Sequence, residues 1–407
     1  MKRFFEKLGP GILYAGAAIG VSHLVQSTRA GANYGFYLAA IIVLANVLKF
    51  PFFEISPIYT SKKKEHLMQG YYAIHPLILV TFLLTVLATF LIVLSAITLV
   101  TSGISALLIP GKTSLYFWIV SMSSLAAIIV FFGKYELLKT ITKYIVFLLS
   151  LFTLIALGIA LANTHDFSIY FQNSFNWESA TDIAFLLALI GWMPAPMELS
   201  SWHSSWALAG DKIPKYKNAL LDFNTGYWGT MMLALAFMML GALVMFNSGN
   251  HFPDGAISFA NQLISLFTSQ FGAWSFPIIA IAAFATMFTT LLTCFDGYPR
   301  VIADGIQILF PARKGLFKKR IEKSFIIISA LGVMLILYFY LDNIKLLVDF
   351  ATTISFIAAN LIALFNFIIA YRLHKAGLYP KGWYRWVLMA LGLVFLFSFT
   401  IIYLLIN

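Results

Sequence analysis

Charge is what this sequence has least of. Asp, Glu, Lys and Arg make up 11% of its 407 residues, against 61% hydrophobic residues, and the mean hydropathy is +0.88. An average soluble domain is about 25% charged, so a water-soluble globule is excluded and the bilayer is the solvent. Cysteine is nearly absent: Cys294 stands alone inside an apolar run, which excludes an intramolecular disulfide and leaves no thiolate cluster for a metal. Ten-residue segments of alternating polarity are missing as well, which argues against a β-barrel. There is no compact nucleophile–His–acid constellation and no His-Glu-x-x-His motif, so no enzyme is expected and no catalytic residue is named.

What is present is a series of long apolar runs. Stretches of about 18 to 25 residues predict an all-α membrane protein with eleven transmembrane helices, at 10–31, 36–59, 76–108, 115–133, 138–162, 181–207, 218–247, 273–307, 323–341, 345–371 and 384–406. The basic residues test that count. Of 27, 22 fall in loops on the side of the N-terminus, from Lys2, Arg3 and Lys7 through Lys62, Lys63 and Lys64, the Lys134, Lys212 and Arg313 regions, to Arg385; Lys112 and Lys345 fall on the other. A missed span would invert every later loop, so the positive-inside rule fixes the N-terminus in the cytoplasm and the C-terminus outside, in a multi-pass plasma (inner) membrane protein. The same topology accounts for the net charge of +11, so no nucleic-acid partner is expected; the partners are the lipid bilayer and a small solute. The start, "MKRFFEKLGPGILYAGAAIG", imitates a secretory signal, but Gly and Pro interrupt its apolar run and its removal would leave the loop pattern unexplained.

Ionisable residues remain inside the spans: Arg29, Lys49 and Arg300, with Glu54, Glu198, Asp222, Asp296, Asp304 and Asp349. Each costs about 2.5–3.5 kcal/mol or more at mid-bilayer, so such groups face a packed interior or a watery cavity. In "LYAGAAIGVSHLVQSTRAGANYGF", His23 falls near the midplane, Arg29 can snorkel outward, and Gly16 and Gly20 weaken the helix before Ser22, an N-cap candidate for a second half-helix. In "LIGWMPAPMELSSWHSSW", Gly191, Pro194 and Pro196 predict a break at 191–196 with a restart at Pro in the first turn. Paired interruptions in the first and sixth helices point to an inverted-repeat transporter with a midplane site. The whole chain, 1–407, is then one transmembrane domain: 1–170 and 171–376 are five-helix repeats and 377–407 is the eleventh helix.

The segments "GPGILYAGAAI", "AGANYGF" and the Met193-Pro194 step resemble the natural resistance-associated macrophage protein (NRAMP) divalent-metal transporters. The resemblance implies the leucine-transporter fold, a 5+5 inverted repeat plus one extra helix with the first and sixth helices broken. It also marks a departure. Counting from the shared Gly-Pro-Gly, the family's Asp-Pro-Gly-Asn metal motif falls on Gly20-Val21-Ser22-His23, and its Met-Pro-His falls on Met193-Pro194-Ala195. Hard divalent cations need anionic oxygen ligands to replace the water they shed, and the carboxylate is gone.

The substrate site is accordingly expected at Gly20, Ser22, His23 and Gln26, with Gly191, Trp192, Met193 and Ala195. Half-helix N-termini and the donors Ser22, His23 and Gln26 suit a small inorganic anion, bicarbonate first. The alternative is a metal carrier with a rearranged site of His23, Met193 and Glu198, suited to a softer ion; Glu198 alternatively just stabilises a helix N-terminus. Lys49, Glu54, Glu198, His203, Asp296 and Arg300 are the coupling or gating candidates, with Lys49/Glu54 brought together by a kink at Pro51 and Asp296/Arg300 at i,i+4 spacing. His203 is a proton carrier or an interhelical hydrogen-bonder. No cofactor is expected beyond a coupling ion, sodium or the proton.

Overall fold

The computed structural model describes residues 8–109, 111, 113–133, 135–172, 174–210, 212–246, 256–312, 316–340 and 344–406. The basic residues Lys2, Arg3, Lys7, Lys112, Lys134, Arg313 and Lys314 of the topology reading lie outside these. The described residues are helical almost throughout. Chain order is α1 (Pro10–Ala18), a π-helical segment (Ile19–Ser27), α2 (Thr28–Tyr34), α3 (Ala39–Lys63), α4 (Leu67–Ile74), α5 (Pro76–Leu108), α6 (Leu115–Phe132) and α7 (Tyr135–Ala162). The second half holds α8 (Ala180–Trp192), α9 (Leu199–Ala209), α10 (Tyr216–Met245), α11 (Ala256–Phe271), α12 (Phe276–Leu309), α13 (Leu316–Phe339), α14 (Ile344–Lys375) and α15 (Trp383–Ile406).

Among the described residues nine helices are long and apolar enough to cross a membrane. The predicted first and sixth spans are each split, into α1 with α2 and into α8 with α9. Local chemistry sets several helix starts: Ser114 accepts from the Phe117 N–H, Ser179 accepts from the Asp182 N–H, and Pro76 opens α5.

Two helices have no counterpart in the sequence reading. The short α4 starts on a reciprocal cap between His66 and Gln69. The amphipathic α11 buries Phe259, Leu263, Ile264 and Phe267, at helical spacing, and packs against α5. Its polar face lowered the average hydropathy below that of a span.

The first helix lies along α10 for its full length. A Cβ on Gly31 would stand 1.8 Å from the Met238 carbonyl oxygen, and one on Gly241 2.3 Å from that of Thr28, so the two backbones meet without side chains between them. At the other end the buried Asp222 carboxylate of α10 accepts the Gly9 and Gly11 N–H groups at 2.9 and 2.8 Å. Those donors belong to the first turn of α1, where intrahelical acceptors are lacking and the helix dipole favours negative charge. An acid 211 residues away therefore caps the first helix.

Asp222→Ala removes both caps and should lower the unfolding midpoint in detergent, at about 1.5–3 kcal/mol per charge-assisted bond. Asp222→Asn should fall between the two, and an unchanged midpoint in Asp222→Ala would remove this anchor from the account.

Candidate functional site

The sixth helix is cut where glycine and proline foretold, shifted slightly along the chain. Helix α8 runs through Gly191 to Trp192, the chain is irregular from 193 to 198, and α9 resumes at Leu199. The restart is later than predicted because Pro196, Met197 and Glu198 form a tight turn first, with Leu199, Ser200 and Ser201 donating to their carbonyls. Glu198, not a proline, occupies the N-cap position.

The first helix bends rather than unwinds. Gly20 is its one residue with non-helical torsions (φ −57°, ψ −113°), inside the π-helical segment Ile19–Ser27. A Cβ at Gly20 would lie 2.5 Å from Thr290 Cγ2, so only glycine admits this approach of α12. Ser22 is not the predicted N-cap: its hydroxyl donates back to the Ala18 carbonyl across the bend. His23 Nδ1 sits 2.8 Å from the same carbonyl and 2.7 Å from Ser22 Oγ, while its Nε2 makes no hydrogen bond. The imidazole is wholly buried and is held by the bend itself.

A cavity of about 20 Å³ lies between the two interruptions, lined by Ser22 and Val21 from the first helix, Trp192, Pro196, Leu199 and Trp202 from the sixth, and Thr290, Cys294 and Tyr298 from α12. That is room for roughly one water, so the conformation is closed. No carboxylate lines it. The indole N–H groups of Trp192 and Trp202 are buried without a hydrogen-bond partner, and an indole can only donate. Of the expected substrate-site residues, the structure brings Ser22 and Trp192 to this cavity. Met193 Sδ lies 3.9 Å from Ser27 Oγ, Ala195 is fully buried, and Gly191 packs its bare Cα against Thr352 and Phe356. Gln26 accepts from Arg29 through Oε1, and its Nε2 is unpartnered.

The ionisable residues pair differently from the sequence reading. Lys49 does not meet Glu54. Its Nζ donates to the Ile190 and Gly191 carbonyls at 2.5 and 3.1 Å, while Glu54 is clamped by Arg385 of α15 at 2.7 and 3.2 Å. Arg29 does not snorkel; it is buried, bonded to Asp349 at 2.9 Å, and its guanidinium stands 5.1 Å from the Phe185 ring centre. Asp296 and Arg300 do pair at i,i+4, and the cluster extends to Trp206, which donates to Asp296 at 2.8 Å, and to Glu322 at 3.6 Å from Arg300. Asp304 pairs with Lys318 and faces His66. His203 is no interhelical hydrogen-bonder, since both ring nitrogens lack partners and the ring abuts Phe223 edge-on. Glu198 is held through Oε1 by Tyr298 at 3.2 Å and Thr89 at 3.4 Å, with Oε2 unpartnered.

His23, Met193 and Glu198 are thus engaged by three different neighbours, and no group of three or more His, Cys, Asp or Glu able to hold a metal occurs among the described residues. Trp202, Tyr298 and Thr290 line the cavity and Thr89 bonds Glu198 beside it, and the sequence alone singles out none of the four. They stand on helices without breaks or, for Trp202, beyond the break, where composition alone gives no reason to single them out.

A bundle whose first and sixth crossings are interrupted around a central cavity is the framework of leucine-transporter-type secondary transporters. The chain belongs to the Nramp family: the family model described as natural resistance-associated macrophage protein-like matches residues 11–406. An uncharacterized protein of Pasteurella multocida (strain Pm70) is 35% identical over 412 residues, 98% of this chain and 92% of that one. The Eremococcus coleocola manganese transporter, solved with a bis-isothiourea compound, superposes with TM-score 0.70 at 14% identity, covering 97% of this chain and 86% of that one. MhsT in complex with L-phenylalanine gives TM-score 0.64 at 14% identity over 98% of both chains. The protein is a multi-pass membrane transporter and not an enzyme.

The Glu54–Arg385 clamp yields a prediction. Arg385→Ala strands a buried carboxylate and should cost about 3–5 kcal/mol of stability, whereas Glu54→Gln combined with Arg385→Gln should cost less. Thermal unfolding of both variants reads the difference, and equal midpoints would show that the pair is not coupled.

Proposed function

We propose that this chain is a secondary transporter for a small inorganic anion, with bicarbonate the leading candidate, and that its Nramp-family site has exchanged cation ligands for hydrogen-bond donors. The observation that carries the reading is the lining of the central cavity: it includes Trp192 and Trp202, whose indole N–H groups have no hydrogen-bond partner, and no carboxylate. A divalent ion there would meet no compensating charge, whereas an oxyanion would satisfy donors that are costly to leave unmade. The acid Glu198 is not among the lining residues; its Oε1 accepts from the hydroxyl of Tyr298, which is one of them, at 3.2 Å. With about one water's space in the closed form, admission of an ion requires the helices around the cavity to part. Asp296/Arg300 and Arg29/Asp349 are the pairs proposed to break and re-form in that movement.

A divalent-metal reading keeps one specific observation in its favour: His23 Nε2 and Glu198 Oε2 are buried without a hydrogen-bond partner. Proteoliposome uptake separates the two. Isotopic bicarbonate should accumulate and Mn²⁺ should not; Mn²⁺ uptake abolished by Glu198→Ala would overturn the anion reading. Trp192→Phe and Trp202→Phe keep the ring and delete the donor. Each should raise the half-saturating bicarbonate concentration by roughly tenfold or more, since a hydrogen bond to a charged group is worth about 1.5–3 kcal/mol. Unchanged uptake in both variants would remove the indoles from the site.

A further inference from the structure

Lys49 is an amine in a place where nothing in its own helix needs one. It is completely buried in α3, two residues before Pro51, and its Nζ reaches across to the Ile190 and Gly191 carbonyls of α8 at 2.5 and 3.1 Å. Those carbonyls lie in the last turn before the break, where a helix is short of donors and its dipole is negative; Ile190 also accepts from the Met193 N–H at 3.3 Å. Glu198 stands on the far side of the same break, with one carboxylate oxygen unpartnered. Backbone carbonyls at a severed helix C-terminus, with a carboxylate nearby, are the oxygen set that a monovalent cation takes in transporters with discontinuous helices. Here an ammonium already fills it.

We propose that Lys49 is a built-in substitute for a coupling cation, a tethered amine at the end of α8 that leaves the transporter without a sodium site at the break. The inference rests on the reading of the break as the transport site, and it deepens that reading by removing sodium from the coupling scheme there. In a sodium-coupled carrier the ion comes and goes, so severed carbonyls without a backbone donor are satisfied only while it is bound. A tethered ammonium satisfies them in every state, and α8 keeps its end intact whether or not substrate is present. Lys is suited to this because its compact charge can take two carbonyls at once on a flexible apolar stem, which a planar guanidinium would not match.

The test uses thermal unfolding of the purified full-length protein in sodium, lithium, potassium or choline chloride at constant ionic strength. The native protein should unfold at the same temperature in all four. Lys49→Ala empties the position, so its midpoint should fall in choline and rise again by about 2 °C or more in sodium or lithium. Lys49→Met fills the space without charge and should fall without rescue. The inference is overturned if Lys49→Ala is indifferent to alkali cations, or if Lys49→Met is rescued equally. Should Lys49→Ala not fold, equilibrium binding of ²²Na⁺ to the native protein decides: no saturable binding is expected, and a saturable site would overturn the proposal. These readouts involve no transported substrate, so failure of bicarbonate uptake leaves them standing, and their failure leaves the anion reading to its own assay.

Discussion

A helix cut at the depth of the bilayer frees backbone groups that no water is at hand to satisfy, and the arrangement of this protein follows from how those groups are answered. At the end of α8 the answer is the Lys49 ammonium on two carbonyls; at the start of α9 it is a tight turn at Pro196 with Glu198 in the N-cap position. Each charge has the sign that its helix end favours. Because both charges are buried, each also needs the surroundings that Tyr298, Thr89 and the α8 backbone supply, which ties α3, α5 and α12 to the break.

The first helix solves a milder form of the same problem. It bends at Gly20 through a π-helical turn, and the hydroxyl of Ser22 and the ring of His23 crowd onto one carbonyl, that of Ala18. Its two ends are fixed to α10, by Asp222 below the bend and by bare glycine contact above it. A helix pinned at both ends and soft in the middle can change the shape of a central cavity without losing its place in the bundle. The cavity itself is closed down to about 20 Å³, and the ion pairs Arg29–Asp349 and Arg300–Asp296 lie outside it, the first joining the first helix to α14 and the second within α12.

Much of this architecture was legible in the sequence because it is written in local chemistry. Apolar run length marked the crossings, and Gly191, Pro194 and Pro196 marked the sixth-helix break to within a few residues. What was not legible depends on distance along the chain. Lys49 is five residues from Glu54, which invites a pairing, yet its partners lie 141 and 142 residues away and are backbone atoms that no side-chain pattern announces. Glu54 and Arg385 are separated by 331 residues, and Arg29 and Asp349 by 320. The amphipathic α11 was passed over because half its surface is polar, and Ser22 was read as a cap because a glycine hinge looks, from sequence, like a helix end.

The family of this chain is shown by its match over residues 11–406, and under the proposed function the sign of the charge it accepts is set by a handful of groups at the cavity wall. The loss of the family's carboxylate, whose place falls on Gly20, with two indole donors left unpartnered, is the central claim. Its most direct measurement is anomalous diffraction from crystals soaked separately in bromide and in Mn²⁺. The account predicts a bromide peak beside Trp192 and Trp202 and no manganese in the cavity; a manganese peak there, coordinated by His23 or Glu198, would contradict it.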